Sequence, residues 1–552
     1  MPSLELTGGT SALRENIKAY LDIEGQSCRL ARWHVRALGQ ELDRKIDEAA
    51  RALGYYHLST EKSFERTEEC WRLSIVLNPG PAVVYDQVNV VLEGPGADNQ
   101  ALTNVRDDKT LREGRQFNHG RYDAYKSRLL QVANTQGYFD AEYVRAEVLV
   151  SRERNTARVN LILDTGERYR IGEVSVEHDI LSDELIDRYI TLERGQEYRS
   201  EELVKLKSEL QASHYFGSVS VEPQLNSLSD GEVPINIKLI GGPKHSYSIG
   251  AGYASDTGPR ILLGYENRYL NSAGHSLDAN VNASEVITTY QVGYSIPMKR
   301  PAYEVLRLYT GFSQEDINKS VSNRLVTGAN YSRWETSSWL NNLGLSYEEE
   351  EYSFGEDPSR TSELVIPMYS TSYTSVQDVK YPRSGWNLLF RVKGASDAFV
   401  SSTDFAQVYG RAKLILPLGE GRLLFRGEGG ITEVDDFNKL PISQRFFAGG
   451  DASVRGYDYK TLGPKNDDDI VIGGSRLLTG SIEYDRKVYG DFVLAAFYDE
   501  GTAFNKGYLE PYRGVGVGIR WVSPVGPVRA DVAKALDGDE GWRLHFSVGP
   551  DL

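Results

Sequence analysis

One arginine stands out among the residues able to do chemistry in this chain. It lies in Arg445-Phe446-Phe447-Ala448-Gly449-Gly450-Asp451-Ala452-Ser453-Val454-Arg455-Gly456-Tyr457, with Tyr459 just beyond. Glycines 449, 450 and 456 permit backbone conformations that other residues resist. Arg455 supplies a permanently charged fork of donors. A loop of this composition folds back and docks its arginine, so the chemistry is ion pairing and not bond making. Acceptors follow downstream. In 474–486, Leu478, Gly480, Ile482 and Tyr484 alternate with Ser481, Glu483 and Asp485, and in 491–500, Phe492, Leu494, Ala496 and Tyr498 alternate with Val493, Ala495, Phe497 and Asp499. Read as strands with period 2, both segments send their acids to one interior face. Glu483, Phe497 and Asp499 are the predicted destination of Arg455, with Gly456 and Tyr457 beside it. The competing reading makes Glu483 and Asp499 solvated interior carboxylates.

Other chemistry is sparse. There is no Gly-x-Ser-x-Gly elbow, and Asp467-Asp468-Asp469 lacks the spaced ligands of a calcium loop. His545 is a lone histidine on the interior face of the last strand-like segment. No catalytic residue, metal site or cofactor is expected, and the chain does not read as an enzyme. The net charge of −16 and pI near 5.2 argue against nucleic-acid binding through a basic surface. Cys28 precedes a helical segment and Cys70 opens a strand at the same end of one unit. They are predicted to form a disulfide in an oxidising compartment; two cysteines alone do not complete a zinc site.

The elements that must position these residues fall into two parts. From about 243 onward, strand-like segments begin near 246, 260, 274, 288, 304, 322, 337, 363, 384, 401, 421, 474, 491, 512, 527 and 541. That makes 16, an even number, as a closed single-chain barrel requires. No stretch approaches the roughly 18 apolar residues of a spanning helix. A mean hydropathy of −0.43, 53 glycines and 34 tyrosines fit an alternating barrel; a soluble all-β protein is the alternative. The last strand alternates Trp542, Leu544, Phe546 and Val548 with Arg543, His545, Ser547 and Gly549. The first sets Ser246, Ser248, Gly250 and Gly252 against Tyr247, Ile249, Ala251 and Tyr253. Glycines weaken that strand, and Pro550 cannot donate to a ladder. The seam of Ser246, Ser248, Gly250 and Gly252 with Phe546 and Gly549 is therefore a candidate gate.

Residues 1 to about 242 read as three copies of one α+β unit ordered strand, helix, helix, strand, strand. Gly54-Tyr55-Tyr56, Gly137-Tyr138-Phe139 and His214-Tyr215-Phe216 mark them, 83 and 77 residues apart. Each mark ends an amphipathic helix, near 31–53, 121–136 and 200–213.

The motif Gly449 to Tyr457 resembles the VRGY/F loop of the BamA/TamA superfamily of outer-membrane assembly and secretion barrels. Ser523-Pro524-Val525-Gly526-Pro527-Val528-Arg529-Ala530-Asp531 is similar to its penultimate-strand motif, and the repeats resemble its POTRA domains. The resemblance implies POTRA units at 1–79, 80–165 and 166–242, and a 16-stranded outer-membrane barrel at 243–552 with an inward-folded loop at 433–473. Three units resemble the TamA branch, since BamA has five. They imply a periplasmic N-terminal part, autotransporter-type clients that arrive unfolded, a TamB-like partner anchored in the inner membrane, and delivery of phospholipid to the outer membrane. The expected function is client insertion at the seam between first and last strands. A two-partner-type secretion pore through the lumen remains the alternative. Met1-Pro2-Ser3 shows no export signal, so an exported chain is expected to be a mature form with an added start.

Overall fold

Alternation and amphipathicity dictate two kinds of structure, and a computed structural model describes both over residues 2–21, 23, 28, 32–66, 70–376, 381–507, 509–523, 526–538 and 541–548. The N-terminal part holds three three-stranded sheets. The first comprises β1 (Ser3–Gly8), α1 (Ser11–Leu21), α2 (Arg32–Ala52), β2 (Ser59–Arg66) and β3 (Trp71–Asn78). The second has β4 (Val84–Glu93), α3 (Gln100–Arg106), α4 (His119–Thr135), β5 (Glu142–Ser151) and β6 (Thr156–Asp164). The third has β7 (Arg170–Glu177), α5 (Asp183–Tyr189), α6 (Ser200–Ala212), β8 (Phe216–Pro223) and β9 (Glu232–Gly241). In each, the last strand is central and runs parallel to the first.

The residue pattern explains each unit. Trp71, Leu73, Ile75 and Leu77 alternate on the buried face of β3, and Leu13, Ile17 and Leu21 recur at helical spacing on α1 to cover it. Gly54 follows α2 at φ +85, where a Cβ would stand 2.5 Å from the Phe117 carbonyl oxygen. In the third unit His214 occupies the same left-handed place at φ 62, the region where Asn, Asp and His are the least unfavourable side chains. The tyrosines after these turns, Tyr55, Tyr138 and Tyr215, are buried.

The second part is one 16-stranded sheet with neighbours in strict chain order. Its strands are β10 (His245–Ala254), β11 (Gly258–Asn267), β12 (Ser276–Ser284), β13 (Ile287–Pro297), β14 (Glu304–Ile317), β15 (Ser320–Thr336), β16 (Trp339–Phe354) and β17 (Arg360–Val376). β18 (Gly385–Ala395), β19 (Phe405–Leu418), β20 (Gly421–Val434), β21 (Arg476–Tyr489), β22 (Phe492–Phe504), β23 (Tyr512–Ser523), β24 (Gly526–Ala535) and β25 (Trp542–Val548) complete it. The strand expected near 401 starts at Phe405, because Asp397–Phe399 form a 3-10 turn and Val400 takes φ 57. Outward positions such as Leu343, Leu478, Leu494 and Val517 are exposed and apolar, whereas inward ones include buried Gln407, Thr479, Asp499 and Asp531. This inverted pattern is what a barrel wall facing hydrocarbon demands. Strand length is uneven: β15 and β17 have 17 residues, β10 has 10 and β25 has 7.

Cys28 and Cys70 are bonded, with Cα atoms 4.7 Å apart, closing a loop of sequence separation 42. Replacing both by serine should lower the stability of the β1–β3 sheet by about 3–4 kcal/mol through regained chain entropy and leave the barrel's melting unchanged. Hydrogen exchange over 3–78 checks this; unchanged protection there would contradict it.

Candidate functional site

The 41 residues between β20 and β21 fold into the barrel, and their arginine meets a ring of acids on three strands. Arg455 grips Asp499 of β22 with two parallel bonds, Nε to Oδ2 at 2.7 Å and Nη2 to Oδ1 at 2.9 Å. Its Nη1 donates to Glu483 of β21 at 2.8 Å and to Asp531 of β24 at 3.0 Å. Its guanidinium carbon lies 3.3 Å from the centroid of the Phe497 ring. Arg520 of β23 pairs with Glu483 at 2.8 Å and with Asp531. Ser481 Oγ donates to Asp499, and Arg426 of β20 donates to the Ser453 carbonyl. Three guanidinium groups thus face three carboxylates; Arg455, Arg520, Asp499 and Asp531 are buried, and Glu483 and Arg426 are partly buried. Balanced charge and close pairing are the conditions under which buried ions are tolerated; Arg520 Nε is the buried donor of this cluster left without a hydrogen-bond partner among the described residues.

The loop is shaped before it docks. Arg445 spends its donors on the loop's own carbonyls, those of Leu440, Ile472 and Phe437, at 2.8, 3.0 and 3.1 Å. Phe446 bridges to Gly474 and Ala448 to Leu462, which folds the segment back on itself. Val454 and Tyr457 bury among Leu477, Ala503 and Ala535. The Tyr457 hydroxyl donates toward the carbonyls of Arg513 and Asp537, both at 3.0 Å. Gly456, at φ +101, donates its N–H to His545 Nε2 at 2.9 Å. The receiving strand is cleared for this approach. On β23, Cβ atoms at Gly514, Gly516 and Gly518 would fall 1.9 Å from the Arg455 carbonyl oxygen, 2.3 Å from Phe497 Cζ and 1.7 Å from Asp531 Oδ1.

The seam lies at the other side of β25. Among the described residues β10 and β25 share no ladder. Phe546 meets the first hairpin at Ser255, beyond the end of β10: Ser255 N–H donates to the Phe546 carbonyl at 3.2 Å, and Phe546 N–H donates to Ser255 Oγ at 2.8 Å. Ser246, Ser248, Gly250 and Gly252 pair with β11 at Glu266, Gly264, Leu262 and Arg260 along one edge of β10; on the other side Tyr253 approaches Phe546, with ring centroids 6.1 Å apart. Gly549 lies outside the described residues. The loop tip reaches this place too, where Asp451 N–H donates to Asp256 at 2.8 Å.

Asp531, Arg520, Arg426 and the Asp256–Asp451–His545 group were not picked out from sequence. Asp531 stands in the quoted penultimate-strand segment, and period 2 from Arg529 would have turned it inward. The alternation Gly514-Val515-Gly516-Val517-Gly518 was the unread sign of a strand making room.

Comparison with known proteins bears on this geometry. Residues 240–551 match the model described as Omp85 superfamily domain, residues 3–79 that described as POTRA domain TamA domain 1, and residues 169–240 the POTRA model described as surface antigen variable number repeat. The chain is 24% identical to the chloroplastic outer envelope protein 80 of Arabidopsis thaliana over 67% of its own length and 54% of that protein's. It is 23% identical to the outer membrane protein assembly factor BamA of Neorickettsia risticii, over 90% of its own length and 70% of the relative's. The chain thus spans about half to two thirds of these relatives. The solved structure of BamA from Haemophilus ducreyi lacking POTRA domains 1–3 superposes with a TM-score of 0.68 at 19% identity, covering 84% of this chain and 100% of that one, a likeness of fold.

Two outcomes are expected. Arg455→Ala leaves three inward carboxylates short of a partner and should cost about 3–5 kcal/mol, with Arg455→Lys intermediate because it loses the fork. Gly514→Ala should cost about 1–3 kcal/mol by overpacking. Both are read as a lower temperature for the shift in electrophoretic mobility of the folded barrel, and an unchanged temperature in all three variants would contradict the docking. The second concerns pH. Asp256, half-buried at the β10–β11 tip, is pushed up to about 7, first by burial and then by the Asp451 charge. Its docked value is raised, so docking is strongest with the proton on. The contact should weaken as pH rises from about 4 to about 7 and level off above. A nitroxide at exposed Ala452 should grow more mobile over that range and lose the dependence in Asp256→Asn; a flat wild-type profile would refute it.

Proposed function

We propose, from the premise that this chain belongs to the Omp85 superfamily, that it inserts β-barrel clients into the outer membrane through the gap between β10 and β25. The barrel lies in the outer membrane and the POTRA domains in the periplasm. One observation carries the reading: the sheet is continuous from β10 to β25 while its two terminal strands share no ladder among the described residues. Backbone N–H and C=O groups left unpaired in hydrocarbon cost several kcal/mol each. The outward face of β10, with Tyr247 and Ile249 highly exposed, fits contact with lipid. A strand edge in that setting is driven to take up another strand, and an arriving client strand satisfies it by β-augmentation. No nucleotide or bond chemistry is needed, because pairing and burial supply the driving force.

The same reading extends to the TamA branch. The match of 3–79 to a TamA-type first POTRA domain supports it. On that branch the partner is a TamB-like protein anchored in the inner membrane, the clients are autotransporter-type proteins, and phospholipid delivery is a second task. The competing reading, export through the lumen, is disfavoured by the loop that the Arg455 cluster holds inside it.

A tether tests the gate. Cysteines at Ala254 and Ser547 flank the Ser255–Phe546 contact, and oxidising them in the full chain should abolish assembly of an unfolded barrel client into vesicles, with recovery on reduction. Full assembly by the tethered protein would defeat the lateral gate, and a large steady conductance through it would favour export.

A further inference from the structure

The tip of the inward loop touches both sides of the seam. On the first-strand side, Ser255 Oγ donates to the Asp451 carboxylate at 3.0 and 3.1 Å, and Asp451 N–H donates to Asp256 Oδ2 at 2.8 Å. On the last-strand side, His545 Nδ1 binds Asp451 Oδ1 at 2.5 Å. The other ring nitrogen of His545 accepts the Gly456 N–H at 2.9 Å. That pairing fixes the neutral tautomer with its proton on Nδ1, pointing at Asp451. An ion pair, Asp458 with Arg543, adds to the hold on β25.

Direct strand-to-strand hydrogen bonding at the seam is meagre by comparison. Among the described residues, the bonds between the first hairpin and β25 involve Ser255 on one side and Phe546 on the other. A neutral main-chain bond contributes about 0.5–1.5 kcal/mol net, whereas one to a charged group contributes about 1.5–3. By this measure the seam is closed more by the loop than by its own strands. Asp451 is also four residues from Arg455, and Gly456 follows Arg455 directly, so the grip on the seam and the lock on the far wall belong to one short stretch of chain.

We propose that Asp451 is the latch of the seam: its carboxylate joins the first hairpin at Ser255 to the last strand at His545, and its release lets β10 and β25 part while Arg455 stays docked. Asp451 and His545 are positioning residues in this scheme, because neither touches a client. The latch deepens the insertase reading and rests on it for its purpose, yet it is measurable without any client.

The test is a distance measurement on the full chain in lipid nanodiscs. Nitroxides go on outward-facing Ile261→Cys and Leu544→Cys, 57% and 65% exposed; Cys28 and Cys70 are already bonded to each other and take no label. Electron–electron resonance should show a long-distance population at least threefold larger in Asp451→Ala and in His545→Ala. The double variant should fall well short of the sum of the two single ones, since both remove the same bridge. Ser255→Ala should show a smaller rise. Heat-resistant electrophoretic mobility confirms that each variant keeps the Arg455 lock, and Asp451→Asn replaces the alanine if the latter does not fold. Wild-type distances in the folded variants, or additive effects in the double one, would overturn the latch. Neither result touches the insertase reading, which stands or falls on client assembly.

Discussion

The rest of the barrel depends on the fork of Arg455 closing on Asp499. A guanidinium inside a wall surrounded by hydrocarbon cannot be left to water, and a carboxylate at the same depth cannot either. Each makes the other affordable only with matched geometry, which the parallel pair of bonds provides, and with neighbours of opposite sign. Glu483 and Asp531 occupy the remaining donor, Arg520 balances them, and Phe497 presents its ring face. One loop residue thereby ties β21, β22, β23 and β24 into a stiff sector.

Stiffness on one arc has a consequence for the other. Charged bonds and the buried apolar side of the loop hold β20 to β24, whereas β10 carries glycine at two of its inward positions and meets β25 through Ser255 alone among the described bonds. The strands also shorten toward the seam, from 17 residues in β15 and β17 to 10 and 7. A closed sheet normally has no weak edge, because every strand pairs on both sides. Here the sheet has two terminal strands, and an inward loop stands beside both. The arrangement divides the wall into a part that is braced and a part whose closure depends on a few polar contacts.

How far this was legible follows from the periods involved. Glu483, Phe497 and Asp499 were readable because strand alternation has period 2 and each acid sits an even number of residues from an inward neighbour. The strand number was readable for the same reason. Gln407, Thr479 and other inward polar residues carry that signal repeatedly. The register across the seam was not, because it depends on how sixteen strands stagger around a closed wall, a sum no local pattern records. Among the described bonds across it, Phe546 meets Ser255, just beyond β10, and not Ser246, Ser248, Gly250 or Gly252. Arg520 was missed because a second arginine in a strand reads as an ordinary interior charge until the carboxylates around it are placed.

The central claim is that the wall is locked at β21–β24 and loose at β10. Amide hydrogen exchange of the full chain in lipid measures both in one experiment. The account predicts that amides of 246–253 exchange orders of magnitude faster than those of 478–484, 493–499 and 514–520, while the barrel stays folded. Protection of 246–253 equal to that of the braced strands would contradict it.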